Sequence, residues 1–249
     1  MHNPLQNHTT HDELVAHRQL FGKYQEFIPE FVYGGIDGAV TTFAVVAASA
    51  GAGLSPSIVL IMGISNMLAD GLSMSIGSFL STKSDQERYE KIYAEEQAEI
   101  KKFPQDEIKE IREIYRKKGF KGDLLKQIVT HITDDETLWV KEMMVGEHGL
   151  LPEDKDPRAN ALITFISFCL LGSIPISPYL YALATGAEIP NAFFIACITT
   201  GFAFFVIGYL KGLVNQTNKL KATAETIFLG GIAAGVAYGI GDWIEKLIN

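Results

Sequence analysis

The sequence predicts an all-α membrane protein, with five transmembrane helices and a polar helical block between the second and third of them. The first observation is a set of five long stretches with few charged residues: 31–54, 57–82, 159–187, 190–210 and 222–240. An apolar helix of about 20 residues crosses a bilayer core of roughly 30 Å. The second observation is that most acidic and basic residues lie in the segment 83–158. No segment has the alternating pattern of a strand.

The segment before the first span, residues 1–30, is predicted to form a tail and an amphipathic interfacial helix. Apolar residues recur at helical spacing between Asp12 and Ile28, which is typical of a helix lying on a membrane surface. Pro29 then predicts a break before the first span. Residues 31–82 are assigned to transmembrane helices one and two.

The polar block, residues 83–158, is predicted to contain four helices. The first continues the second span outward, because neither Gly nor Pro interrupts the chain before Pro104. The second and third helices are predicted over residues 105–118 and 123–132. Asp134 is predicted to cap the fourth helix, which should stop near Gly149.

The last three spans occupy residues 159–249. Pro175 and Pro178 lie inside the third span and are expected to kink it. In the fifth span a small residue recurs at every fourth position, at Gly231, Gly235 and Gly239. This spacing permits close helix packing, either within one bundle or at a dimer seam.

Basic residues predict the orientation in the membrane. They occur before the first span, in the polar block and between spans four and five, whereas the other two short loops lack them. The positive-inside rule therefore predicts that the N-terminus and residues 83–158 are cytosolic. The net charge of −8 argues against a nucleic-acid partner.

Two aspartates interrupt the first two apolar stretches. Asp37 lies between glycines in the first, and Asp70 lies in the second on one helical face with Asn66 and Met74. A carboxylate near mid-membrane costs about 2.5–3.5 kcal/mol on insertion scales, and such residues usually line an ion or proton path. The alternative is that both acids are packing or helix-end residues satisfied by neighbouring backbone.

The donors on these two faces suit a divalent transition metal. Two carboxylates neutralise a dication, and the thioether of Met74 favours an ion softer than magnesium or calcium. Protons compete with the metal for the same oxygens. This competition is what proton-coupled exchange requires, so the pair predicts a cation transporter.

The polar block carries two Glu-x-x-Glu pairs, Glu96/Glu99 and Glu107/Glu110. The i, i+3 spacing places both members of each pair on one helix face. The fourth predicted helix adds Met143, Met144 and Glu147 within about one turn. Metal binding is one interpretation of this pattern. The other is a solvated face whose glutamates pair with Lys101, Lys102 and Lys109. His148 follows Glu147 and is a candidate ligand, although the sequence favours an ordinary surface histidine.

These residues resemble the vacuolar iron transporter family. The resemblance rests on Tyr-Gly-Gly-Ile-Asp-Gly at residues 33–38, on Ala-Asp-Gly-Leu-Ser-Met-Ser-Ile-Gly-Ser at residues 69–78, and on the order and spacing of the acidic motifs that follow. It runs from about Pro29 to the C-terminus.

The resemblance implies a five-span homodimer that exports ferrous iron from the cytosol in exchange for protons, with Mn²⁺, Co²⁺ or Zn²⁺ as other substrates and no tightly bound cofactor. It implies that Asp37 and Met74 hold metal in the pore and that Glu30 lies at the cytosolic pore mouth. It also implies a metal-binding domain within 83–158, whose ligands are Glu96, Glu99, Glu107, Glu110, Met143, Met144 and Glu147.

One departure from the family pattern concerns the proton. Plant-type members carry a glutamate where this chain has Asn66, and a small residue where it has Asp70. Because Asp70 lies one turn further along the same face, we expect it to replace the missing charge.

Other function classes remain open at this stage. They are a membrane-anchored di-iron ferroxidase, which the missing Glu-x-x-His motif disfavours, and a metal-sensing receptor without transport. The membrane is expected to be the cell membrane in a prokaryote and the vacuolar membrane in a eukaryote.

Overall fold

The computed structural model of the chain describes residues 27–187 and 189–248. Nearly all of the predicted N-terminal tail and interfacial helix lies outside these residues. The described part of the chain contains eight helices and no strand. The described residues divide into two compact units: one comprises those up to 79 and those from 157 onward, and the other comprises residues 80–156.

Five helices of the described chain are long and apolar enough to cross a membrane: α1 Ile28–Gly51, α2 Pro56–Lys102, α6 Pro157–Thr185, α7 Ala192–Val214 and α8 Lys219–Ile248. They correspond to the five predicted spans, so the described residues confirm the all-α class and contain five candidate spans. Helix α2 has 47 residues and runs without a break from the second span into the polar block. The absence of Gly and Pro before Pro104 had predicted this continuity.

Pro29, Pro175 and Pro178 all lie inside helices. Pro29 lies in the first turn of α1, which begins at Ile28. A proline is tolerated there because the first backbone N–H groups of a helix have no intrahelical acceptor. Pro175 and Pro178 are both inside α6, and helical structure continues on either side of them.

The first unit is built around α1. This helix packs most extensively against α6, and it also contacts α7 and α8. A Cβ added to Gly38 would overlap the backbone carbonyl of Phe168 on α6, so the glycine allows the two helix backbones to approach closely. Val46, Val59 and Phe168 join α1, α2 and α6 in one buried apolar cluster.

The glycine stripe of α8 faces open space in the described chain. A Cβ added to Gly231, Gly235 or Gly239 would meet no atom within 4 Å. Among the described residues, no helix packs against this stripe. A seam with a second copy is the remaining one of the two interpretations made from the sequence.

The second unit consists of the outer part of α2 with three short helices, α3 Pro104–Lys117, α4 Gly122–Thr133 and α5 Glu136–Gly146. Its apolar core includes Ile111 of α3, Val129 of α4 and Val140 of α5. The cap of α5 is Asp135 and not Asp134: the Asp135 carboxylate accepts from the backbone N–H groups of Thr137 and Leu138 at 2.9 and 3.2 Å. The sequence offered two adjacent aspartates, and the backbone conformation selects the second. Helix α5 also ends at Gly146, before the predicted Gly149.

Candidate functional site

Asp37 lies in the middle turns of α1 and is half-buried. The hydroxyl of Thr41 donates a hydrogen bond to the backbone carbonyl of Asp37 at 2.8 Å, and not to its side-chain carboxylate. Among the described residues, no hydrogen bond to that carboxylate is formed. Its electrostatic neighbour is Asp70 of α2, which lies close enough to repel it. The first unit therefore holds two mutually repelling carboxylates between apolar helices.

Asp70 is held by the residue one turn before it. The Asn66 side-chain amide donates to Asp70 Oδ2 at 2.7 Å, and both residues are half-buried. The shared helical face that the sequence predicted is thus present in the structure. The amide orients one oxygen of Asp70 and leaves the other for a second partner.

The other two predicted pore residues have different surroundings. Met74 is half-buried and packs against the apolar cluster of Val46, Val59 and Phe168. Glu30 is half-buried in the first turn of α1, where the helix dipole favours a negative charge.

The second unit brings its five predicted glutamates together. Glu96 of α2 and Glu107 of α3 are buried, with 3% and 6% of their surface exposed. The Oε2 atom of each is buried without a hydrogen-bond partner. The charges of Glu110, Glu96, Glu99 and Glu147 all act on Glu107. We call these five residues, Glu96, Glu99, Glu107, Glu110 and Glu147, the carboxylate cluster.

The electrostatics of the carboxylate cluster favour proton uptake. Burial, followed by repulsion from the other four glutamates, raises the pKa of Glu107 from 4.5 to about 7. Burial also raises the pKa of Glu110, which shares a hydrogen bond with Glu147. A hydrogen bond between two carboxyl groups requires one of them to be protonated. Without a cation, the cluster therefore holds protons near neutral pH.

The lysines of this unit do not neutralise the cluster. Lys101 pairs with Glu136 at 2.9 Å, and Lys109 pairs with Asp106 at 2.7 Å. Lys102 lies over the ring of Phe103. In the described chain no Lys or Arg forms an ion pair with any member of the cluster. The predicted pairing of these glutamates with Lys101, Lys102 and Lys109 is therefore absent, although Glu99, Glu110 and Glu147 are exposed to solvent.

His148 lies beside the carboxylate cluster, whereas the sequence favoured an ordinary surface histidine. Its Nε2 atom lies 2.8 Å from Glu96 Oε1. Ligand atoms of Glu96, Glu147 and His148 all lie within 4.8 Å of one another. The hydrogen bond to Glu96 raises the pKa of His148, an effect that burial partly opposes. The available signal was its position directly after Glu147.

Met143 and Met144 are fully buried. Both belong to the apolar core of the second unit, together with Ile111 and Val140. The structure thus gives them a packing role, and a contact with metal would come in addition to it.

Comparison with known proteins identifies the family of the chain. The sequence model of the VIT family matches residues 28–242. The chain belongs to the VIT family. The resemblance inferred from the glycine-flanked Asp37 and the later acidic motifs is confirmed.

Curated VIT-family relatives match over most of their length. The vacuolar iron transporter of Toxoplasma gondii is 32% identical over 95% of this chain and 83% of its own. Vacuolar iron transporter 1 of Arabidopsis thaliana is 32% identical, covering 88% of this chain and 87% of its own. The vacuolar iron transporter of Plasmodium falciparum is 25% identical over 97% of this chain and 91% of its own. The names describe these relatives as transporters of iron.

Proposed function

We propose that this VIT-family protein moves ferrous iron, and similar ions such as Mn²⁺, Co²⁺ and Zn²⁺, out of the cytosol in exchange for protons. The observation that carries the proposal is the pairing of Asp37 and Asp70 between helices long and apolar enough to span a membrane. Relatives named as iron transporters over most of the chain support the choice of substrate.

The proposed coupling follows from the charge of the Asp37–Asp70 pair. Two repelling carboxylates among apolar helices are stabilised either by protons or by a dication. Binding one displaces the other, because both use the same oxygens. Asn66 carries no charge, so in this proposal Asp70 provides the second carboxylate while Asn66 orients it. Met74 and Glu30 complete the path at its inner and cytosolic ends.

The carboxylate cluster is proposed to collect metal on the cytosolic side. Glu96 Oε2 and Glu107 Oε2 are buried without a hydrogen-bond partner, and a bound cation would remove the cost of burying them. Met143 and Met144 lie within the same helical unit and are proposed as thioether ligands, as the resemblance implies. A cluster that concentrates the ion increases the rate at which it enters the pore.

The working unit is proposed to be a homodimer in which Asp37 of each copy lines a shared pore. The half-buried state of Asp37 in a single copy supports this arrangement, as does the open glycine stripe of α8. The proposed membrane is the vacuolar membrane in a eukaryote and the cell membrane in a prokaryote.

Two other functions make different predictions. A ferroxidase of the carboxylate cluster would consume oxygen with ferrous iron, and a metal sensor would bind metal without moving it. Neither requires two acids between membrane-spanning helices, and for that reason we favour transport.

The test is metal flux into sealed proteoliposomes, with and without a pH gradient. Asp37→Asn keeps the shape and removes the charge, so we expect flux to fall to that of protein-free vesicles. Glu225→Gln removes an exposed acid of α8 and is the matched control, for which we expect wild-type flux. Wild-type flux in Asp37→Asn would refute the assignment. Flux that is indifferent to the pH gradient would refute the coupling.

A further inference from the structure

We propose that His148 is a metal ligand of this chain, completing a mixed nitrogen and oxygen site with Glu96 and Glu147. This inference rests on the proposed role of the carboxylate cluster in binding metal. It adds an imidazole to a set of carboxylates and thioethers, and so predicts which ions that cluster prefers.

The spacing of the donor atoms fits one ion. Metal–ligand bonds of about 2.1 Å place neighbouring donors about 3 Å apart around an octahedral ion. The His148 Nε2 atom lies 2.8 Å from Glu96 Oε1, and a Glu147 ligand atom completes a group spanning no more than 4.8 Å. A group of donors this compact matches the spacing around a single ion.

The surroundings of Glu96 show that its hydrogen bond to His148 is not enough to satisfy it. Its Oε2 atom is buried and has no partner, and only 3% of the residue is exposed. An unpartnered carboxylate oxygen in such a place is costly, and a cation that binds it removes the cost. The side chain of His148 is 29% exposed, so the site is accessible from solvent.

The identity of the third donor affects selectivity. Carboxylates suit Mn²⁺, whereas imidazole suits iron, nickel, copper and zinc, and affinities rise from Mn²⁺ to Ni²⁺ for most donor sets. His148 should therefore raise the affinity for Ni²⁺ and Co²⁺ more than the affinity for Mn²⁺. The opposite view is that His148 merely occupies Glu96, in which case removing the ring would free a carboxylate and strengthen binding.

The histidine content of the chain permits a clean test. The sequence has six histidines, four of them before residue 18, and the other two are His131 and His148. The full chain in detergent, with the four N-terminal histidines changed to Gln, then leaves only two imidazoles. X-ray absorption of Zn²⁺ at one equivalent should show imidazole scattering in this background. His148→Gln should abolish that signal, and His131→Gln, which alters an exposed residue of α4, should leave it unchanged.

Affinity provides the second measurement. In His148→Gln we expect the ratio of Ni²⁺ to Mn²⁺ affinity to fall at least about tenfold, the scale found when metal-site partners are removed. The fluorescence of buried Trp139 checks that the second unit stays folded. Imidazole scattering that survives in His148→Gln would overturn the proposal, and so would tighter Ni²⁺ binding.

The two proposals fail in distinguishable ways. Normal flux with metal binding that is indifferent to His148 would remove this inference and leave transport intact. Absent flux in wild-type proteoliposomes, with a His148-dependent zinc signal, would remove transport and leave the ligand assignment intact.

Discussion

Glu107 makes the second unit less stable as the pH rises, and replacing it by Gln should remove that dependence. Its pKa is raised from 4.5 to about 7 by burial and by four neighbouring glutamates. Below pH 4.5 the carboxyl is protonated whether the unit is folded or unfolded, so it imposes no penalty. As the pH rises towards 7, the unfolded form ionises first and stability falls.

The size of the effect follows from the difference in pKa. A change from 4.5 to about 7, at about 1.4 kcal/mol per pKa unit, corresponds to about 3 kcal/mol. The metal-free wild type should therefore lose about 3 kcal/mol through Glu107 between pH 4.5 and pH 7. Glu110 and His148 also have raised pKa values and contribute in the same direction, so the difference between Glu107→Gln and wild type is the quantity to measure.

The assay is urea unfolding of the full chain in detergent with a chelator, followed by tryptophan fluorescence. The chain has two tryptophans. Trp139 lies in the core of the second unit, and Trp243 is exposed on α8. In a Trp243→Phe background the signal reports only the second unit. The control is Glu113→Gln, also on α3, which removes an exposed ion pair with Arg116.

The expected result has two parts. Glu107→Gln should be more stable than wild type at pH 8 by about 3 kcal/mol, and the two should converge at pH 4.5. Added Mn²⁺ should stabilise the wild type at pH 8 and stabilise Glu107→Gln less, because a ligand is missing. The result that refutes the reasoning is an unfolding free energy that depends on pH equally in wild type, Glu107→Gln and Glu113→Gln. Glu107 would then not be the carboxyl whose raised pKa lowers stability.

Two further predictions concern folding. Asp135→Ala should destabilise the second unit by about 1 kcal/mol, since it removes the cap of α5, whereas Asp134→Ala should not. Unfolding followed by Trp139 fluorescence compares the two variants, and equal losses of stability would contradict the assignment of the cap. Gly38→Ala should lower the thermal stability of the first unit in detergent, because the added Cβ meets the Phe168 backbone. Gly201→Ala on α7 should not, because its added Cβ meets no atom within 4 Å. Unchanged thermal stability in Gly38→Ala would show that the α1–α6 contact can relax.

Much of the fold could be predicted because it depends on the composition of long segments and not on single residues. Five apolar stretches, and the uninterrupted chain before Pro104, contain enough residues to outweigh local ambiguity. Features decided by one residue were harder. Asp134 and Asp135 are chemically equal as caps, and only the backbone conformation distinguishes them. Pro29 is equally compatible with an interruption before the first span and with a position in the first turn of its helix.

The same distinction applies to the candidate sites: contacts within one helix could be predicted, and contacts between distant segments could not. Helical spacing is enough to place Asn66 and Asp70 on one face, since they are four residues apart on one helix. His148 is different, because its contact with Glu96 joins residues 52 positions apart in sequence. No periodicity links them. The fold of α3 to α5 brings the chain back to α2, and only that return makes the contact.

The arrangement of bases around the carboxylate cluster explains why it should bind cations. Lys101 and Lys109 are close in sequence to the glutamates, yet they pair with Glu136 and Asp106 on the surface. The two buried members, Glu96 and Glu107, therefore have no lysine or arginine ion-pair partner in the described chain, and burying an unpaired charge is costly. Here the charge is left to be neutralised by exchangeable species, protons or metal ions. The Asp37–Asp70 pair presents the same condition between the apolar helices. In the function proposed above, protons and metal ions would compete for the oxygens of each acidic site.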